Sequence, residues 1–304
     1  MNSKRDNCPI SFSEPALRTL GKELITRRFS LPTGELTFSG YSRAADATGF
    51  SVPELGWVLD AGCVTHSQRP DYVFVTHTHT DHSHQLVYLK SRRKPPVICL
   101  PKEAASILER FLTASQNLTD QYTLGEPREL TRAYDLVGVD ASSVFRIARG
   151  NRPIEVNVVQ CDHTVPCVGY VFTEVRRKLE DAYIGLPGKE IAKLRQEGVE
   201  IMKESRFPMF AFLGDTTPLV FERHPEILEA PLVFTECSFL DKEHLDVAVR
   251  TKHTMWDDLE PIIASNPNTL FVLTHFSHRY DFAEIRAFFD AVPHKNILPW
   301  IPPQ

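Results

Sequence analysis

Four short apolar runs in this 304-residue chain lead into a histidine or an aspartate: "YVFVTH" at 72–77, "IEVNVVQCDH" at 154–163, "MFAFLGD" at 209–215 and "LFVLTHFS" at 270–277, which carries His275. Their Val, Ile and Phe content and their length predict buried strands. A metal-ligating residue type at the same end of several strands predicts a site gathered on one rim of a rigid scaffold. Further strands are expected at 57–62, 96–100, 167–175 and 232–238. Helices are expected at 83–91, 102–116, 255–265 and 281–291, where apolar residues recur at three-to-four spacing, as in Phe282, Ile285, Phe288 and Phe289. Strands apolar on both faces, interleaved with helices, indicate layered α/β packing.

Composition narrows the class further. With 42% hydrophobic and 24% charged residues the chain balances as a globular protein, long enough for one sizeable core or two ordinary domains. It has no run of about 18 apolar residues, so no membrane-spanning helix is expected. The first thirty residues mix Lys4, Arg5, Arg27 and Arg28 with Asp6, Glu14 and Glu23 and lack an apolar core, which argues against a secretory signal. Six scattered cysteines without a CxxC pair suit free thiols in a reducing, intracellular setting: cytoplasmic, nuclear or organellar. The net charge of −5 means that a polyanionic partner must meet basic residues concentrated in patches.

The densest feature is "VFVTHTHTDHSHQL" (73–86), which places four histidines and an aspartate within 77–84, directly after a predicted strand. Neutral imidazoles with a carboxylate suit Zn²⁺. Residues two apart in an extended segment point the same way, so His77 and His79 can share one ion. Asp81 and His82, past a tight turn, can reach a second. His163, Asp215 and His275 supply further ligand types at strand ends. Singly, each is more simply a core or turn residue; their recurrence in one structural position favours a metal site. Asp60, in "WVLDAG", fits either a turn or a partner for a ligating histidine.

Several motifs together resemble the metallo-β-lactamase superfamily and, within it, the tRNase Z family of endonucleases that remove 3′ trailers from precursor tRNA. They are "THTHTDH" (76–82), His163, "FLGDTT" (212–217), "ECSFLD" (236–241), "KHT" (252–254) and "THFSHRY" (274–280), in the expected order across roughly 55–280. "YIGLPGKEIAKLRQEGVEI" (183–201) is similar to the corresponding segment of short, plant-type members. The resemblance implies a four-layer αββα metallo-β-lactamase-like sandwich. It implies two Zn²⁺, with Mn²⁺ as an alternative: one ion on His77, His79 and His163, the other on Asp81, His82 and His275, and Asp215 bridging. Glu236 and His253 match the family's proton-transfer pair, and Asp81 is counted with them among the catalytic groups. A homodimer whose arms serve the partner's site, acting on precursor tRNA and not on a membrane, completes the implied picture.

The chemistry also stands on its own terms. Two divalent ions about 3.5–4 Å apart can hold a hydroxide and clamp a phosphoryl group, lowering the pKa of water from about 15.7 toward about 7. Attack on a phosphodiester leaves an oxygen that needs a proton. An imidazole such as His253 suits that task, with Glu236 orienting it. A buried Glu236 without a partner is costly, which favours the pairing.

The charged stretch 175–206 reads as an arm inserted into the sandwich, with the domain running over 31–304 and residues 1–30 as an N-terminal extension. Candidate RNA contacts are Arg92, Arg93 and Lys94 in "KSRRK", and Arg176, Arg177, Lys178, Lys189 and Lys193 in the arm. The opposing view of the arm is a solvated charged helix-turn, since Glu180, Asp181, Glu190 and Glu197 are interleaved. Two departures from the family pattern stand out. Ser83-His84-Gln85 replaces the small residues that usually follow the first motif, so that His84 either crowds the site or faces solvent. The Gly-Pro arm signature of bacterial members is also absent. His66, His224, His244, His278 and His294 are taken as ordinary surface or core histidines. The rival functions are a hydrolase of a small substrate, such as a cyclic nucleotide or thioester, and a non-catalytic RNA-binding relative.

Overall fold

The computed structural model describes residues 12–13, 24–63, 69–90, 93–120 and 133–303. Two mixed sheets face each other. The first places β1 (Phe12–Ser13), β2 (Ile25–Leu31), β3 (Gly34–Arg43), β4 (Ala47–Val52), β5 (Trp57–Ala61), β6 (Tyr72–Phe74), β7 (Val97–Pro101) and β8 (Asp135–Val139) side by side in chain order. The second does the same with β9 (Val144–Ile147), β10 (Ile154–Cys161), β11 (Cys167–Leu179), β12 (Met202–Phe212), β13 (Leu232–Glu236), β14 (Leu270–Thr274) and β15 (Ile297–Pro299). Each sheet opens as an antiparallel meander, β1–β5 and β9–β12, and finishes parallel, β5–β8 and β12–β15.

Strands alternate because successive side chains point to opposite faces. In β6, β7, β13 and β14 both faces are apolar, as expected where helices cover a sheet. Phe74 and Cys99 point inward while Val73, Ile98 and Leu100 point outward, against Leu108 and Leu112 of α2 (Lys102–Asp120). Phe234 and Val272 point inward while Val233 and Phe271 meet the outer helices α4 (Leu219–Arg223), α6 (Trp256–Ser265) and α7 (Phe282–Ala291). The result is the expected four-layer αββα sandwich. Short α1 (Thr80–Ser83) and α5 (Leu245–Thr251) lie beside the loops, and α3 (Gly188–Gln196) rides on the arm.

Between the sheets the core is aromatic. Phe234 has its ring 4.7 Å from Phe38, 5.4 Å from Phe50 and 5.9 Å from Trp300, so one residue of the second sheet joins β3 and β4 of the first to the chain just past β15.

Several expectations are corrected. The strands β2, β3 and β4 were not anticipated, and β2 spans Ile25–Leu31. The strand expected to reach His77 ends at Phe74. The helix expected at 83–91 is the single turn α1 followed by a 3₁₀ turn over His84–Tyr88. The arm at 175–206 is less a loop than a prolongation of β11 and β12, paired from Val175↔Arg206 out to Leu179↔Met202, with α3 at its far end. A bulge between Phe172 and Thr173, opposite Pro208, marks where this ribbon leaves the sandwich. Proline cannot donate to the ladder and a bulge increases local twist, so both suit a departure point.

Phe234→Ala is expected to destabilise the chain by about 3–5 kcal/mol, because a large ring at full burial leaves a cavity that its neighbours cannot fill. Equilibrium denaturant unfolding reads this directly, and a cost under about 1 kcal/mol would contradict the central place given to that ring.

Candidate metal centre

The parallel strands β12, β13 and β14, and β10 running with them, all end on one rim, which they share with the ends of β5 and β6. The loops past these ends carry His77, His163, Asp215 and His275, and Glu236 closes β13 itself. Four non-glycine residues with positive φ occur among the described residues: Ala45 (56°), Asp60 (51°), Lys252 (54°) and His275 (60°). All four serve this rim. Ala45 donates its backbone N–H to Asp81 Oδ2 at 3.0 Å, and Lys252 offers its carbonyl 3.3 Å from His163 Nδ1. Asp60 and His275 belong to the cluster directly. Left-handed backbone in ordinary residues costs of order 1–3 kcal/mol each and persists where surroundings impose it.

Seven predicted ligands come together in two overlapping groups. In the first, His77 Nε2 and His163 Nε2 lie 3.1 and 3.2 Å from His79 Nδ1, and both face Asp215 Oδ2 at 3.6 and 3.8 Å. In the second, His82 Nε2 and His275 Nε2 lie 3.7 and 3.5 Å from Asp81 Oδ2. Asp215 joins the groups, its Oδ1 3.4 Å from His82 Nε2 and its Oδ2 3.4 Å from His275 Nε2. The nitrogens His82 Nε2 and His275 Nε2 are buried without a hydrogen-bond partner. Buried polar atoms are rarely left so, and imidazole nitrogens converging on shared carboxylates form the donor set of a divalent cation. The residues present therefore fit metal ions.

The outward nitrogens are held in matching tautomers. Asp60 Oδ2 sits 2.7 Å from His82 Nδ1 and also accepts the Thr76 hydroxyl at 2.8 Å. That leaves the Thr76 oxygen to accept from His77 Nδ1, 3.1 Å away. Ser238 Oγ lies 3.0 Å from His275 Nδ1. Each arrangement keeps a lone pair on Nε2, aimed into the cluster.

Electrostatics divide the rings by the charge around them: a proton on His82 takes the place a cation would hold among the buried carboxylates, while the rings of the first group stay neutral. Burial, reinforced by neighbouring imidazoles, holds His77 well below its usual range, and burial lowers His79 and His163 too, so these rings stay neutral and able to bind metal. Burial also disfavours charge on His82, but Asp215 and Asp60 overcome it and bring the ring up to about 9. Asp81, despite burial, is pulled down to about 2 by its contact with His275 and the charge of His82. The cluster is a concentration of buried negative charge that calls for cations.

Beside the ligands, Glu236 is buried and fully partnered. Its Oε1 accepts the Thr216 N–H at 2.7 Å and lies 2.9 Å from His253 Nδ1; its Oε2 accepts Ser238 Oγ–H at 2.6 Å and the Thr254 N–H at 3.1 Å. Burial opposes protonation of His253, yet the Glu236 charge and hydrogen bond raise it to about 9. Asp215 Oδ2 is 4.0 Å from His253 Nδ1, so this pair adjoins the ligands.

The basic candidates lie elsewhere. Lys94 pairs with Asp71, just ahead of β6, which puts it and the exposed Arg93 at the opposite rim of the first sheet; Arg92 and His66 lie outside the described residues. On the arm, Arg176 and Lys178 sit 4.5 and 4.4 Å over the Phe207 ring, Arg177 pairs with Glu200 at 2.7 Å and Lys193 with Glu197 at 3.7 Å; Lys189 is exposed. His84 turns back on its own helix, Nδ1 2.8 Å from the Thr80 carbonyl, and joins no ligand group. His224, His244, His278 and His294 also stand apart from the ligands. Thr76, Ser238, Thr216 and Lys252 were not singled out from the sequence. Ser238, two residues past Glu236 at a strand end, was the most legible of these.

Comparison with known proteins agrees with the geometry. The model of the metallo-beta-lactamase superfamily matches residues 66–150. The chain is 32% identical over 259 residues to a chloroplastic tRNase Z, TRZ2, of Arabidopsis thaliana, covering 81% of this chain and 69% of that one. It is 30% identical over 263 residues to the tRNase Z TRZ1 of the same plant, covering 84% and 90%. The metallo-beta-lactamase fold protein YhfI of Bacillus subtilis superposes with a TM-score of 0.52 at 13% identity over 85% of this chain and 92% of its own, a likeness of fold.

Asp60→Asn removes the carboxylate that holds His82 with its lone pair inward. Zinc affinity measured by calorimetric titration is expected to fall about 10–100-fold with the fold retained by circular dichroism. Unchanged affinity would show that Asp60 serves only its turn.

Proposed function

Because this chain belongs to the tRNase Z family of metallo-β-lactamase-fold proteins, we propose that it is a metal-dependent endoribonuclease that removes 3′ trailers from precursor tRNA. We assign its two metal positions to zinc, with manganese as the alternative: His77, His79 and His163 would hold one ion and Asp81, His82 and His275 the other, with Asp215 within reach of both. When bound, such ions acidify water toward a pKa of about 7 and neutralise charge developing on a phosphoryl group.

The observation that carries the reading is the Glu236–His253 pair at the edge of the ligand set. When hydroxide attacks the phosphorus of an unactivated phosphodiester, the group expelled is a sugar alkoxide, a poor leaving group, so the breaking P–O bond needs a proton delivered to the departing oxygen. With Nδ1 held by Glu236, His253 offers that proton from Nε2. Glu236, fixed by Thr216, Ser238 and Thr254, stabilises the imidazolium before transfer. A hydrolase of a thioester, whose thiolate leaves readily, gains little from such a donor.

The arm suits a polyanion. Arg176, Arg177, Lys178, Lys189 and Lys193 position phosphates without reading sequence, and Arg93 and Lys94, with Arg92, offer a second basic patch. The ribbon also supports a homodimer. β12 ends at the metal rim at Phe212, so the arm, which begins at Arg206, starts roughly 20 Å back along the strand and runs away from that rim. It therefore points away from its own centre and is placed to serve a second copy. Among the described residues no helix is long and apolar enough to cross a membrane. Cys63, Cys99, Cys161, Cys167 and Cys237 are buried free thiols, which supports an intracellular setting: cytoplasmic, nuclear or organellar.

Precursor tRNA with a 3′ extension is expected to be cut once, after the discriminator base, in the presence of Zn²⁺ or Mn²⁺, with mapping of the product end as the readout. His79→Ala and chelation should each abolish the cut. Intact tRNA alongside metal-dependent hydrolysis of a small phosphodiester would move the assignment to a small-substrate hydrolase. His253→Ala should lower kcat on tRNA about 10²–10⁴-fold at unchanged metal content. For the dimer, a variant lacking the arm and His79→Ala should each be inactive alone and regain cleavage when mixed. Failure to complement would mean that each arm serves its own centre or none.

A further inference from the structure

Lys252 is anomalous in three ways. It closes helix α5 as a left-handed C-cap, φ 54°, a position that glycine usually fills without strain. Its ammonium donates to Asp162 Oδ1 at 2.8 Å although its side chain is 43% exposed. It also lies between two functional histidines, its carbonyl facing His163 Nδ1 and its own peptide leading into His253.

Asp162 is itself a junction. Its backbone N–H donates to Thr216 Oγ1 at 2.9 Å, its carbonyl accepts the Thr217 N–H at 3.2 Å, and its Oδ2 accepts Thr217 Oγ1–H at 3.1 Å. The Lys252–Asp162 pair thus ties the loop bearing His253 to the loops bearing His163 and Asp215. The helix end accounts for the left-handed backbone but not for a lysine in place of a strain-free glycine, and an ordinary surface ion pair contributes only about 0–1 kcal/mol. The strain makes sense if what the pair secures is geometry.

We propose that Lys252 is a positioning residue that sets His253 at its working distance from the metal ligands, so that the leaving oxygen is protonated as it departs. This rests on the reading of the protein as a tRNA endonuclease. Lys252 touches neither the reacting atoms nor, on this account, the RNA; it acts through His253.

Three variants separate positioning from stability. Lys252→Met keeps the strain and loses the ion pair, Lys252→Gly loses both, and Lys252→Arg keeps both. Lys252→Gly is expected to melt about 2–4 °C above Lys252→Met, since only glycine relieves the left-handed backbone. Both should nevertheless lose at least about tenfold in kcat on precursor tRNA, with KM within threefold of the parent, and Lys252→Arg should stay within threefold on both. On bis(p-nitrophenyl) phosphate, whose leaving group departs without a proton, the Met and Gly losses should be several-fold smaller than on tRNA.

Activity that follows melting temperature, with Lys252→Gly at or above the parent, would overturn the proposal. So would a rise in KM at constant kcat, which would make the lysine an RNA contact, or equal losses on both substrates, which would place the damage in the metal ligands. If the parent protein cleaves the small diester but leaves precursor tRNA intact, the functional reading itself falls and takes this inference with it.

Discussion

Asp215 is a buried carboxylate with five imidazole nitrogens around it: His82 and His275 at 3.4 Å, His77 at 3.6 Å, His163 at 3.8 Å and His253 at 4.0 Å. A lone charge at such burial is prohibitive, so the surrounding structure exists largely to make this one tolerable. The rings that face it come from strands of both sheets, which means that the two halves of the sandwich must dock in register before the charge finds its partners. The aromatic layer around Phe234 fixes that docking, and the carboxylate then holds the rim together.

The cost of this convergence is visible in the backbone. Ala45, Asp60, Lys252 and His275 come from four separate segments, and each adopts a left-handed conformation to bring a hydrogen bond or a ring into the same small volume. None is glycine, because in three of them the side chain is also engaged: Asp60 with His82, Lys252 with Asp162 and His275 with Asp215. Backbone strain and side-chain function are superimposed at the same residues. This coupling explains why the ligand-bearing loops are short and well buried, even though they are not regular structure.

That superposition also decides what could be read from sequence. Ligands such as His77, His79 and Asp215 were legible because a polar residue ending an apolar strand is a local pattern. The meander β2–β4 was not. "GELTFSGYSR" and "ATGFSV" are largely buried while carrying Gly, Ser and Thr that resemble loop composition. In the structure Ser39 meets Thr26 and Ser42 meets Thr48 across neighbouring strands, so the polar groups satisfy each other in pairs that no single segment reveals. The roles of Thr76, Ser238 and Lys252 were hidden for the same reason: each depends on a partner far off in sequence, Asp60, His275 and Asp162, that a neighbouring strand end supplies. Asp60 remained ambiguous in sequence because its turn conformation and its bond to His82 are both real.

The proposed function divides chemistry from recognition along one axis. Strands β6, β10, β12 and β14 deliver candidate ligands to one rim and β13 delivers Glu236, while β11 and β12 continue past the other rim into the arm. The ribbon's own pairing makes the separation rigid at its root, and the bulge opposite Pro208 sets its direction. A rigid arm directed away from the centre cannot close over it, so any substrate that touches both within one chain must span the length of β12. A folded RNA has that reach, and so does an arrangement in which two copies exchange arms. A nucleotide or a thioester has not. On the proposed role of the arm, the reach required of the substrate is set by the same strand whose following loop carries Asp215.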